Sequence, residues 1–185
     1  MAAIPGPCAS TIKTIDRFTD ITGQAIAWLT MAMMLVVCTV VVMRYFFESG
    51  SLALQEFATY LHAAVFMLGA AFTLKRNGHV RVDIFYRRGS PRKQAMVDLV
   101  GGLVFLLPLC TLFLVMCWGY VIDSWAIRET SSEPGGLPTV YLLKTLLLIM
   151  PVLLLIQGVS QTLKNLLVIL GRGPSPPAEY QEQVL

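Results

Sequence analysis

The sequence predicts an all-α integral membrane protein with four transmembrane helices, a short N-terminal amphipathic helix and both termini in the cytoplasm. Three observations carry that prediction. Hydrophobic residues make up 56% of the 185 and charged ones only 14%, far from soluble averages. Four long apolar stretches are each sufficient to cross a bilayer. Seven of the fourteen Lys and Arg residues fall in one segment, 75–93, between two of those stretches.

The elements follow in order. Residues 1–9 are broken by Pro5, Gly6 and Pro7 and predict no regular structure. From Ser10, Ile12, Ile15 and Phe18 recur at helical spacing, with Lys13, Asp16, Arg17 and Asp20 around the other side; this predicts an interfacial helix stopped at Gly23. Residues 24–43 form a twenty-residue uncharged run, long enough for roughly 30 Å of hydrocarbon. Arg44, Tyr45 and two Phe close it as an interfacial edge.

Span two covers about 52–74, with Glu56 and His62 as its conspicuous polar members. After the basic segment, Ser90 and Pro91 read as an N-cap and first-turn pair. They launch span three, about 92–122, which Pro108 should kink rather than end. Residues 123–138 form a polar connection with turn residues Pro134, Gly135 and Gly136. Span four, about 138–164, contains Pro151, and its apolar pattern continues to Leu170. The division expected is therefore a leader at 1–23, a four-helix membrane domain at 24–170 and a disordered tail at 171–185.

Four spans put both termini on the side of the basic segment. That side holds eleven Lys and Arg, and the other holds Arg44, Arg128 and Lys144. Such a bias in short loops places the rich side in the cytoplasm. Lys75, Arg76, Arg87, Arg88, Arg92 and Lys93 are thus expected to lock topology and to meet membrane lipids, anionic ones included. The net charge of +3 and its placement exclude a nucleic-acid surface. His79, Arg81 and Asp83 alternate within the segment and read as part of a solvated loop.

No catalytic, cofactor or metal constellation is visible. His62 is the sole His in a span, too few for paired haem ligation, and the outer loops contain no Cys. Cys38, Cys110 and Cys117 lie in apolar runs where they pack as small hydrophobes. An ionised side chain within a span is costly, so Glu56 reads as an interfacial ion pair with Arg44 across the short turn rather than as a proton or ion ligand. His62 reads as a helix-contact hydrogen bonder. Gln157, Ser160, Gln161 and Lys164 follow at helical spacing, either facing a protein groove or pairing within their helix while Lys164 snorkels.

Arg44-Tyr45, Gln55-Glu56, Leu68-Gly69-Ala70-Ala71, the run from Gly78 to Asp83, and Pro138 with Lys144 occur in an order that resembles the small membrane subunit, the DctQ-type small permease, of tripartite ATP-independent periplasmic (TRAP) transporters. The likeness spans about residues 12–170; Gln55 departs from it, standing where many relatives look to have an acid. The resemblance implies a non-enzymatic scaffold in the bacterial inner membrane. It also implies a large permease partner (DctM-type) that holds sodium ions and substrate, and a periplasmic binding protein (DctP-type) that delivers an organic acid. Ala63, Gly69, Ala70, Gly101 and Gly102 are candidates for packing on the large subunit, because small residues let helices approach closely. Arg128, Glu129 and Glu133 are candidates for docking the binding protein. The alternatives from other classes are a redox-enzyme anchor and an independent four-span carrier.

Overall fold

The computed structural model describes residues 6–79, 86 and 89–171. Four helices long and apolar enough to span a membrane account for nearly all of them, and no strand occurs among the described residues. They are α1 (Gly6–Phe46), α2 (Leu52–Lys75), α3 (Pro91–Ala126) and α4 (Val140–Ile169). The expectations for Arg81, Asp83, Arg87 and Arg88 and for the tail from residue 172 lie outside the described residues.

At its N-terminal end the chain departs from the sequence reading. No separate interfacial helix stops at Gly23; α1 runs unbroken through it for 41 residues. Glycine inside a helix costs only about 1 kcal/mol, and close packing offsets that here. A Cβ on Gly23 would overlap the Phe72 ring of α2. Ile12 and Thr19, in the turns before Gly23, are buried at 6% and 2% exposure, so this segment belongs to the bundle.

The first three helices end alike, two residues before a non-glycine residue with positive φ: Glu48 (47°), Asn77 (53°) and Arg128 (46°). For α2 and α3 the next residue folds back, Gly78 N–H donating to Thr73 O and Glu129 N–H to Ser124 O. This is the Schellman closure, which satisfies carbonyls that a helix end leaves open. At the start of α2, Ser51 accepts from Leu54 N–H. Pro91 opens α3 as expected, although the Ser90 side chain makes no cap hydrogen bond.

Pro108 acts through the turn before it. Gly102–Leu106 is π-helical, and Leu107 N–H reaches back five residues to Gly102 O. Proline lacks an N–H and its ring crowds the carbonyl four residues earlier. A widened turn relieves both within a continuous helix.

Helix α4 is central: it packs on α1, α2 and α3, whereas α3 makes no comparable contact with α1 or α2. Its buried residues include Pro151, Gln157, Gly158, Ser160 and Leu167. Gly158 faces Leu106 across the α3 contact, and Gly102 faces Thr162. Few side chains are fully buried, and large apolar ones such as Trp28, Phe105 and Met116 point outward. A thin bundle with an apolar exterior is suited to lipid as solvent.

Candidate functional site

Two polar clusters lie at opposite ends of α4, separated by the uncharged stretch between Lys144 and Lys164. Twenty residues of helix span about 30 Å, the thickness of the hydrocarbon core. The clusters therefore sit at the two membrane edges.

At the end carrying the termini, Asp16 of α1 turns into the bundle. Its carboxylate meets Lys164 Nζ at 2.7 Å and accepts from Ser160 Oγ at 2.9 Å and Gln157 Nε2 at 3.3 Å. Gln157 and Ser160 are wholly buried, and Thr19 Oγ1 donates to Gln157 Oε1 at 2.7 Å. The polar stripe of α4 thus faces a protein groove formed by α1, the first of its two expected environments. Beside it, Lys75 Nζ pairs with Asp20 at 2.5 Å and donates to the Asp16 carbonyl at 2.8 Å.

At the other end the loop between α3 and α4 folds over the start of α2. Ser131 Oγ donates to Glu56 Oε1 at 2.5 Å, and Leu137 N–H donates to Glu56 Oε2 at 2.6 Å. Gly136 is needed there, because a Cβ would press on the Ser131 side chain and on Glu56 Oε1. Lys144 pairs with Glu129 and lies 3.9 Å from the Tyr120 ring centroid, a cation–π contact. Its hydrogen bond holds the Glu129 carboxyl below the usual carboxylate range. Trp125 packs edge-on to Tyr141 and donates to Thr145 Oγ1 at 2.9 Å.

Several expectations are corrected by this geometry. No Arg44–Glu56 ion pair forms: both Glu56 oxygens are occupied by the loop, and Arg44 is exposed. Lys75 is not turned to lipid headgroups but drawn inward to 13% exposure by Asp20. Arg76 stays 65% exposed, and Arg92 and Lys93 are exposed as a lipid-facing role requires. Glu129 is engaged by Lys144, which leaves Arg128 and Glu133 as the exposed members of the docking set.

The small-residue face of α2 is used within the chain. Gly69 looks toward Ile26 of α1, and Ala71 is buried. Ala63 and Ala70 are half-buried. On α3, Gly102 faces Thr162 while Gly101 has open space around it. His62 is exposed and makes no hydrogen bond, so it is not a contact within this chain.

A cleft of about 900 Å³ opens between α3 and α4 near the terminal end, lined by Phe105, Leu106 and Leu109 with His79, Gln161 and Asn165. Its carboxylate, Asp98, accepts from Tyr86 OH at 2.7 Å. Among the described residues no group of three His, Cys, Asp or Glu side chains is placed to hold a metal ion. The sequence reading missed Asp16 and Asp20 as bundle partners. The available signal was that Asp16 and Lys164 stand at matching depth once four spans are assigned.

Charges engaged in joining helices, with an apolar exterior between them, define a multi-pass membrane protein. The family model of the DctQ component of tripartite ATP-independent periplasmic transporters matches residues 33–167. The chain belongs to that family, whose members are transporter components and not enzymes, and it is a multi-pass protein of the bacterial inner membrane. It is also similar to the C4-dicarboxylate TRAP transporter small permease protein DctQ of Vibrio cholerae serotype O1 (strain ATCC 39315 / El Tor Inaba N16961), 30% identical over 129 residues. Those residues are 68% of this chain and 55% of the relative, so the chain spans about half the length of the curated relative it matches. No solved structure matches. Membership of this family sets aside the redox-anchor alternative.

Proposed function

We propose that the chain is the small scaffold subunit of a TRAP secondary transporter. It braces a large, sodium-coupled permease subunit that takes up an organic acid delivered by a periplasmic binding protein. The family match over residues 33–167 is the observation that carries this reading. The engagement of Asp16, Asp20, Glu56 and Glu129 in fixed contacts supports it, because a coupling site needs a group free to exchange its ion. The lysine and arginine bias supports termini in the cytoplasm. With that orientation Arg128 and Glu133 face the periplasm, where the binding protein docks.

Reconstitution tests the reading. Proteoliposomes containing this chain, the large permease and the binding protein should accumulate organic acid under an inward sodium gradient, and those containing this chain alone should not. Transport by the chain alone would make it an independent carrier. Undiminished transport by the permease without it would remove the scaffold role.

A further inference from the structure

The outward faces of the bundle are not alike. At mid-membrane on α1 and α3 the exposed side chains are aliphatic, aromatic or sulfur-bearing, or threonines that satisfy themselves. Thr30, Thr39 and Thr111 each donate to the carbonyl four residues back, those of Ile26, Leu35 and Leu107. Such a helix surface can face lipid without an open polar group.

Helix α2 differs. Gln55, Thr59, His62 and Phe66 are exposed at spacings of four, three and four, so they form one stripe along the side turned away from α1 and α4. Thr59 donates to Gln55 O, but the side chains of Gln55 and His62 make no hydrogen bond at all. His62 lies ten residues beyond the start of α2, about 15 Å along the axis and hence near the bilayer middle. A histidine at that depth ordinarily faces a protein interior or a water-filled cavity and pairs there. In this chain it faces neither.

We propose that this stripe is where the large permease subunit seats, through a transmembrane helix that presents a hydrogen-bonding side chain to His62. The assignment rests on the scaffold reading and adds to it the face that is used. It also fits the small residues of α2, of which Gly69 looks toward α1 and Ala71 is buried inside the bundle, leaving the opposite, polar side for a partner. Phe66, 72% exposed, extends the contact toward the terminal end of the membrane.

The test is photo-crosslinking in the intact complex. The chain is co-expressed with its permease, with a benzophenone amino acid at Thr59 or Phe66 of α2, at Leu35 of α1, or at Val115 of α3. Adducts to the permease are expected from positions 59 and 66 and not from 35 or 115. Adducts only from 35 or 115, or only to lipid from 59 and 66, overturn the assignment of the face and leave the scaffold reading intact. Absence of permease from the purified wild-type preparation overturns both. The variant His62→Leu should retain about threefold to tenfold less permease, the size of one interhelical hydrogen bond in a membrane, and His62→Gln should recover most of it. Undiminished retention by His62→Leu refutes the proposal.

Discussion

Removing the Asp16 side chain should loosen α1 from α4, and the geometry fixes roughly how much. Asp16→Ala takes away a charge-assisted contact with Lys164 at 2.7 Å; such contacts contribute about 1.5–3 kcal/mol. It also strands Ser160, which is wholly buried and donates to the same carboxylate, and a buried group left without its partner costs about 1–3 kcal/mol. Gln157 keeps Thr19 and loses only its longer bond. The sum is about 2.5–6 kcal/mol, nearer the lower end because the Asp16 and Lys164 side chains are 22% and 33% exposed and solvent screens them. Lys164→Met should cost less, about 1–2 kcal/mol, since Ser160 and Gln157 still serve the carboxylate. The assay is equilibrium unfolding in mixed micelles across the cycle of two single variants and the double. A coupling energy of about 1–2 kcal/mol is expected. Strictly additive losses would refute the account, because they would mean that the two residues act on different parts of the bundle.

Other outcomes follow from single contacts. Gly23→Ala should destabilise by about 1–3 kcal/mol, as overpacking does, and Phe72→Leu should relieve part of the loss; Gly101→Ala, with open space around it, should be neutral or slightly stabilising by melting point. Glu129 has its pKa lowered in the folded chain, so its contact with Lys144 stabilises above the ordinary carboxylate value of 4.5 and is lost as pH falls through the lower folded value. Trp125 fluorescence, read with Trp28 and Trp118 replaced by Phe, should report that acid transition, and Glu129→Gln should abolish it. Arg128→Gly should raise stability by about 1 kcal/mol by relieving left-handed backbone while weakening binding-protein docking by surface plasmon resonance. Stability and docking falling together would show that Arg128 is needed as a helix cap.

The four spans were legible because the length of an apolar run is a local property that the bilayer reads directly. Bounds of about 52–74 and 138–164 compare with Leu52–Lys75 and Val140–Ile169; the excess in α4 is the continuation toward Leu170 that the apolar pattern shows. The partners of the charges were less legible. Lys13, Asp16, Arg17 and Asp20 form one polar flank of α1, and only the docking of α1 on α4 decides which of them turns inward. Nearness in sequence misdirected Glu56 toward Arg44, whereas its acceptors are filled from residues 131 and 137, 75 and 81 positions away. Gly23 could read as a helix stop or as a close contact, and the Phe72 ring on another helix is what selects the second. The small residues of α2 mark a close-packing face in the sequence, expected to meet the large subunit; in the structure Gly69 looks toward Ile26 of the same chain, and sequence does not say which neighbour such a face packs on.

A subunit with the proposed bracing role must resist being pulled through its surroundings, and α4 is held at both ends. Lys144 is held by Glu129 and Tyr120 at one membrane edge, Lys164 by Asp16 at the other. Moving α4 along its axis by one turn, about 5 Å, would break both ion pairs together and drag one lysine into hydrocarbon. The neighbouring helices share this anchoring, α2 through Glu56 and Lys75 and α1 through Asp16 and Asp20. Helix α3 packs chiefly on α4, across glycines at 102 and 158 and a π-helical turn. Of the four helices α3 is therefore the one with the fewest neighbours, whereas α1, α2 and α4 are tied together by ion pairs between Asp20 and Lys75 and between Asp16 and Lys164.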